Sequence, residues 1–214
     1  MRWGLLEQNT HSWSMIPKVV FVLGGPGAGK GTQCENITND FDFLHLSAGD
    51  LLRAERQNKD SKNGQLIETY IKEGKIVPVE ITVQLLLDAM EASESSCFLV
   101  DGFPRNADNL DGWNNVVGDK AVVLGCLFFD CPESVMETRL LERGKSSGRS
   151  DDNIDSIRAR FHTYQNETRP IIDHFDAEEK CFKVVSDRPV LQVYQETKDL
   201  LVNKLNCIPK IGSK

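Results

Sequence analysis

Val19-Val20-Phe21-Val22-Leu23-Gly24-Gly25-Pro26-Gly27-Ala28-Gly29-Lys30-Gly31-Thr32 decides the architecture. A β-branched and aromatic run gives way to a glycine-rich turn, and a lysine opens the helical pattern that follows. A strand that feeds a helix this way leaves consecutive backbone N–H groups unpaired at the turn. The helix N-terminus adds partial positive charge, so the turn is a cradle for phosphate. Glycine allows the backbone to curl and to approach an anion closely. The residues expected to hold a nucleoside triphosphate are Gly25, Pro26, Gly27, Ala28, Gly29, Lys30, Gly31 and Thr32, with Lys30 reaching the β- and γ-phosphates. The usual pattern puts Ser or Thr directly after the lysine. Here Gly31 intervenes, and Thr32 acts from one position later.

Outward from that turn, short apolar runs alternate with segments of helical period. The strands expected are Lys18–Leu23, Phe43–Leu46, Cys97–Val100, Val122–Phe129 and Cys181–Val185. Helices are expected near 29–40, 50–59, 61–73, 79–91, 105–115, 132–143, 152–175 and 189–205. Strands apolar on both faces and separated by helices imply a parallel sheet between helical layers. The fold class is therefore α/β, a three-layer P-loop NTPase fold on a five-stranded parallel sheet. Gly64, Gly74 and Pro78 punctuate a helical stretch and mark a small helical insertion over about 47–78. The polar, glycine-containing segment at about 144–153 reads as a short mobile lid. One domain spans 17–205, with a flexible extension over 1–16 and a tail over 206–214.

Composition narrows the partners. The chain has 214 residues and a formal charge of −7, which argues against a nucleic-acid binder working through bulk electrostatics. Small anions remain open, because a local arginine cluster can hold phosphates on an acidic protein. No run approaches the roughly 20 apolar residues of a membrane span. The first fourteen residues carry Glu7 and a single Arg and make a poor transit peptide, and Met15 offers an alternative start. A cytoplasmic location, with nuclear access open to so small a chain, is the expectation. The six cysteines form no C-x-x-C pair and read as free thiols, not as a disulfide framework or zinc site.

Three further segments narrow the reaction. They are Leu46-Ser47-Ala48-Gly49-Asp50-Leu51-Leu52-Arg53, Asp101-Gly102-Phe103-Pro104-Arg105-Asn106, and Arg143-Gly144-Lys145-Ser146-Ser147-Gly148-Arg149-Ser150-Asp151-Asp152-Asn153. Their order, with the Gly31-Thr32 variant of the loop, resembles the adenylate kinase superfamily, and within it the chain is most similar to the UMP-CMP kinases. The resemblance covers about residues 17–201. It implies transfer of the γ-phosphoryl of ATP to UMP or CMP, and a monomer. Such chemistry gathers many negative charges in one place and needs positioning and electrostatic stabilisation, not a protein nucleophile. The resemblance makes Lys30, Arg105, Arg143, Arg149 and Arg160 catalytic, and sets Arg139 over the donor adenine. It assigns the monophosphate to Ser47, Ala48, Arg53, Ile76, Val77, Gly102, Arg105, Asn109, Arg149 and Arg160. Guanidinium forks at Arg53 and Arg105 suit a phosphate clamp. Arg158 shares the helix of Arg160 but points elsewhere and is left out. Mg²⁺ is expected on phosphates and water, with Asp101 and Thr32 in its outer shell. Asp151 and Asp152 are expected to pair with lid arginines, to cap the helix that starts near Asn153, or to do both.

Base choice turns on two positions. Asn109 lies four residues beyond Arg105, on one helical face with it, where adenylate kinases carry a Gln. An amide both donates and accepts, which suits uracil and cytosine. Ala48 stands where adenylate kinases have Thr, removing a polar contact open to adenine. The alternatives are an adenylate kinase acting on AMP and a silent nucleotide-binding protein on the same fold. Of the histidines, His45 is expected to be a core residue of its strand, and His11, His162 and His174 are given no role.

Overall fold

The structure, a computed structural model, describes residues 16–210. The extension expected over 1–16 lies, apart from Ile16, outside the described residues, as do His11 and Met15. Five strands, β1 (Lys18–Gly24), β2 (Leu44–Ser47), β3 (Cys97–Asp101), β4 (Val122–Asp130) and β5 (Cys181–Val185), form one parallel sheet in the order β2-β3-β1-β4-β5. Each begins and ends within a residue of its expected place. The helices are α1 (Lys30–Asp40), α2 (Ala48–Gln57), α3 (Gly64–Lys72), α4 (Val79–Glu91), α5 (Ala107–Val116), α6 (Glu133–Gly144), α7 (Ile154–Thr163), α8 (Arg169–Ala177) and α9 (Val190–Asn203). No helix among the described residues is long and apolar enough to cross a membrane.

Both faces of the sheet are covered, which is why its central strands are apolar throughout. One face buries Phe21, Phe98, Val100 and Trp113, with the Phe21 and Trp113 rings edge-to-face at 5.3 Å. Truncating Phe21 to Ala would cost about 3–5 kcal/mol. The opposite face buries Val20, Val22 and Leu99 under Ile37, Ile157, Phe161 and Leu201. A third cluster, Leu52, Ile67 and Val77, lies within the helical insertion and gives α2 and α3 a core of their own.

The single helix expected over 152–175 is two helices. Tyr164–Thr168 is a π-helical turn in which the Arg169 N–H reaches back five residues to the Tyr164 carbonyl. It changes which surface the chain presents. Ile157 and Phe161 before it pack on one face of the sheet, whereas Ile171, Ile172 and Phe175 after it pack on the other. The tail is tied down as far as it is described: Phe41 and Pro209 form an antiparallel bridge, and Lys210 N–H donates to the Asp40 carbonyl at 2.7 Å.

Strand register brings the site together. Val22 and Ser47 are both partners of Asp101, so the carboxyl ends of β1, β2 and β3 meet at one edge. The order reverses at β1, which lies between β3 and β4. Ligands of open α/β sheets bind at such a switch point.

Candidate active site

The loop after β1 is fixed by close packing. Gly27 has φ 85°, and a Cβ there would lie 2.6 Å from the Met136 carbonyl oxygen of α6. Only glycine fits. Lys30 Nζ folds back and donates to the carbonyls of Gly24 (3.0 Å) and Gly25 (2.9 Å). Burial lowers its pKa to about 8, against the opposing pull of Asp101.

In front of the loop lies a cavity of about 440 Å³. It is lined by Lys30, Arg53, Arg105, Arg139, Arg143, Arg149 and Arg160, and by only three carboxylates, Glu35, Asp50 and Asp101. A chain of net charge −7 thus concentrates seven cations on one hollow. Gly25 precedes this lining, while Pro26, Gly27, Gly29, Gly31, Thr32, Ser47 and Gly102 contribute to it. Ala28 is buried and lines a neighbouring cavity of about 240 Å³ beside Gly29, Thr32 and Arg139.

The arginines converge from several elements, with Arg139 and Arg143 sharing α6. Arg105, in the turn after β3, donates from Nε to the Gly102 carbonyl at 2.7 Å. Burial lowers its pKa, and Asp101 opposes this. Arg53 on α2 meets Asp50 Oδ1 at 2.5 Å, and Arg149 of the lid reaches the same oxygen at 3.4 Å. Asp50 therefore bridges insertion and lid, and Arg56 Nη1 donating to Ser150 Oγ at 3.2 Å adds a second contact. Arg143 grips Asp152 with Nε at 2.8 Å and Nη2 at 2.6 Å. Arg160 on α7 pairs with Asp151 at 2.8 Å, and burial brings its pKa down to about 10. Arg139 donates from Nη2 to the Ser186 carbonyl at 3.0 Å, on the wall of the second cavity. Arg158 is exposed on the other side of α7.

Asp151 and Asp152 pair with Arg160 and Arg143 and do not cap. Asn153 caps α7, its Oδ1 accepting from the Ser156 N–H at 3.0 Å. Asp152 is held below the usual carboxylate range: burial would raise its pKa, but the Arg143 and Ser147 hydrogen bonds outweigh that.

The two positions expected to choose the base lie outside these cavity walls. Ala48 and Asn109 are each 2% exposed, and Asn109 Oδ1 accepts from the Arg105 backbone N–H at 3.2 Å. Val77 lines a small cavity of about 60 Å³ with Arg53, Arg105 and Arg160, and its neighbour Ile76 is half-buried.

His45 is not the core residue expected of its strand. It lines the main cavity, with Nε2 3.3 Å from Asp101 Oδ2, because β2 is an edge strand beside the site and leaves His45 only partly covered. Asp101 Oδ1 is buried without a hydrogen-bond partner among the described residues, an orphaned acceptor that suits a cation or its water. Sequence reasoning also missed Asp50. Its position three residues before Arg53 at the start of α2 was the available signal.

The adenylate kinase family model matches residues 22–180. The chain belongs to the adenylate kinase family. Among its curated relatives, the UMP-CMP kinase of Danio rerio is 55% identical over 192 residues, covering 87% of this chain and 98% of the relative. The UMP-CMP kinases of Gallus gallus (55%) and Homo sapiens (54%) each align over 187 residues, 85% of this chain and 95% of theirs. Members of the family bind ATP and nucleoside monophosphates, and this chain is a nucleoside monophosphate kinase of that type.

Proposed function

We propose that the enzyme transfers the γ-phosphoryl of ATP to UMP or CMP, giving ADP and UDP or CDP. The convergence of seven cations on one cavity carries this reading, because two phosphorylated nucleotides must be brought together against their own repulsion. The kinase domain runs over 17–205, with the monophosphate-binding insertion at 47–78 and the lid at 144–153.

ATP lies along the loop Gly25–Thr32, with Arg139 over the adenine as a cation–π partner. The monophosphate lies under the insertion, its phosphate between Arg53 and Arg105, with Ser47, Gly102, Ile76 and Val77 around it. One of its phosphate oxygens attacks the γ-phosphorus in line. A new P–O bond forms as the bond to the β–γ bridging oxygen breaks, and ADP leaves. Lys30, Arg143, Arg149 and Arg160 hold the charge that shifts between the two nucleotides. The orphaned Asp101 Oδ1 and the hydroxyl of Thr32 fit the outer shell of Mg²⁺, which when bound neutralises phosphate charge.

Asn109 selects the base. With Oδ1 engaged by the Arg105 N–H, its Nδ2 is left to donate to a ring-edge acceptor, O4 or O2 of uracil and N3 or O2 of cytosine. The experiment is ADP formation from ATP and Mg²⁺ with CMP, UMP and AMP as acceptors, on the wild type and on Asn109→Ala. Wild-type kcat/KM should favour the pyrimidines, and the variant should lose about tenfold of that preference. Preference for AMP would overturn the pyrimidine assignment, and unchanged ratios in the variant would remove Asn109 as the reader.

A further inference from the structure

Three side chains that the phosphate-holding set does not use meet at the wall of the main cavity, two of them lining it and Cys34 buried behind. His45 is paired with Leu99 in the β2–β3 register, and Leu99 and Asp101 are two apart on β3. All three therefore face the same side of the sheet, the side α1 covers. Cys34 on α1, one turn after Lys30, is fully buried there. One ligating atom from each of Cys34, His45 and Asp101 lies within 4.8 Å of the other two. His45 Nε2 and Asp101 Oδ2 are already 3.3 Å apart. The second Asp101 oxygen, Oδ1, is buried with no hydrogen-bond partner among the described residues, in a residue only 8% exposed.

We propose that Cys34, His45 and Asp101 form a site for a thiophilic divalent cation, Zn²⁺ above all, that inhibits the kinase by occupying the carboxylate at the end of β3. A thiolate, an imidazole and a carboxylate are a zinc set, whereas Mg²⁺ takes oxygen alone. Tetrahedral zinc with bonds of about 2.0–2.3 Å sets its ligands roughly 3.5 Å apart, so the triangle must contract by about 1 Å at its widest. His45 and Asp101 also line the main cavity, which gives the ion an entry path and leaves its fourth position facing the nucleotide side. Two features oppose binding. The Lys30 ammonium lies close by, and burial with the Asp101 charge holds the Cys34 thiol well above its usual pKa. Each ion bound forms a sulfur–metal bond and releases the thiol proton to solvent, and the thiolate and carboxylate together neutralise the ion.

The test is an optical titration of the nucleotide-free full chain with Co²⁺, whose bond to a thiolate gives a charge-transfer absorption. The wild type should show that band, Zn²⁺ should abolish it, and Cys34→Ser should lack it. His45→Gln should keep it with binding weakened at least tenfold. Cys207→Ser, altering a half-buried thiol elsewhere, should match the wild type. Zn²⁺ should also inhibit turnover in excess Mg²⁺, less potently by tenfold or more in His45→Gln. A wild type without the band, a band that survives Cys34→Ser, or a band lost in Cys207→Ser would overturn the site. Should Cys34→Ser fail to fold, unchanged Co²⁺ affinity in His45→Gln would overturn it equally. The optical readout needs no turnover, so a failure of the phosphotransfer reading would leave this result standing.

Discussion

The glycine-rich loop, Gly25–Thr32, and the segment proposed as a lid, residues 144–153, both reach one cavity and are made of different material. The loop offers backbone N–H groups held in place by close contacts such as Gly27 against Met136, and its one long side chain is folded back on its own carbonyls. The other side offers side-chain cations, Arg143 from the end of α6, Arg149 from the segment itself and Arg160 from α7, and each is already held by a carboxylate. A phosphate reaching the loop meets donors that need little rearrangement. A phosphate reaching the lid must displace Asp50, Asp151 or Asp152. The exchange of one anionic partner for another keeps the arginines paired throughout, which lowers the cost of moving them.

That contrast breaks first at Lys30. Lys30→Ala should lower kcat by about 10²–10³-fold, with a far smaller change in the KM for the monophosphate. Single-turnover measurement checks it, and wild-type turnover would mean that the backbone half of the loop suffices alone. Next comes Asp152→Asn, which removes the carboxylate from a pair whose acid is fully buried and whose arginine is 35% exposed. Exposure of Arg143 discounts the cost to about 1–3 kcal/mol, read as a lower Tm, while Arg158→Ala should stay within about 0.5 kcal/mol. The folded pKa of Asp152 is depressed, so its contribution is present above the unfolded carboxylate pKa and is lost as pH falls through the folded one. A variant with wild-type stability across that acid range would show that the lid pair is dispensable. The smallest effect is on ATP affinity. Lys30 titrates near pH 8 when no nucleotide neutralises it, and phosphate favours its protonated form. The dissociation constant of ATP should rise about tenfold between pH 7 and pH 9, with proton uptake on binding at the upper end. Calorimetry in buffers of different ionisation heat measures it, and a flat profile would place Lys30 away from the phosphates.

The same contrast explains what could be read from the chain alone. A cradle of backbone groups is written in consecutive residues, so β1, the loop and α1 were legible down to the variant Gly31-Thr32 step. The strands were legible because burial on both faces leaves them apolar from end to end. The arginine positions were legible only through resemblance, since a lone Arg looks the same on a surface and in a site. Their partners were not legible. Asp50 joins residues about a hundred positions apart, Arg139 ends on the carbonyl of Ser186, and His45 reaches Asp101 across two strands. Such pairings follow from sheet order and register, which local periodicity does not encode. The break in the helix over 152–175 escaped for a related reason, because its apolar residues fit a helical period on either side of the π turn.

That π turn is an extra step in a spiral staircase. Each residue advances a helix by about 100°, so one residue more or less between Phe161 and Ile171 swings everything that follows by that angle. A deletion within Tyr164–Thr168 would give local geometry a more regular helix, with better-stacked peptide groups. It would also turn Ile171, Ile172 and Phe175 away from the face of the sheet they now cover. The irregular turn is thus a spacer in a reading frame of side chains. A frame of this kind tolerates exchanges of letters far more readily than a change in their number.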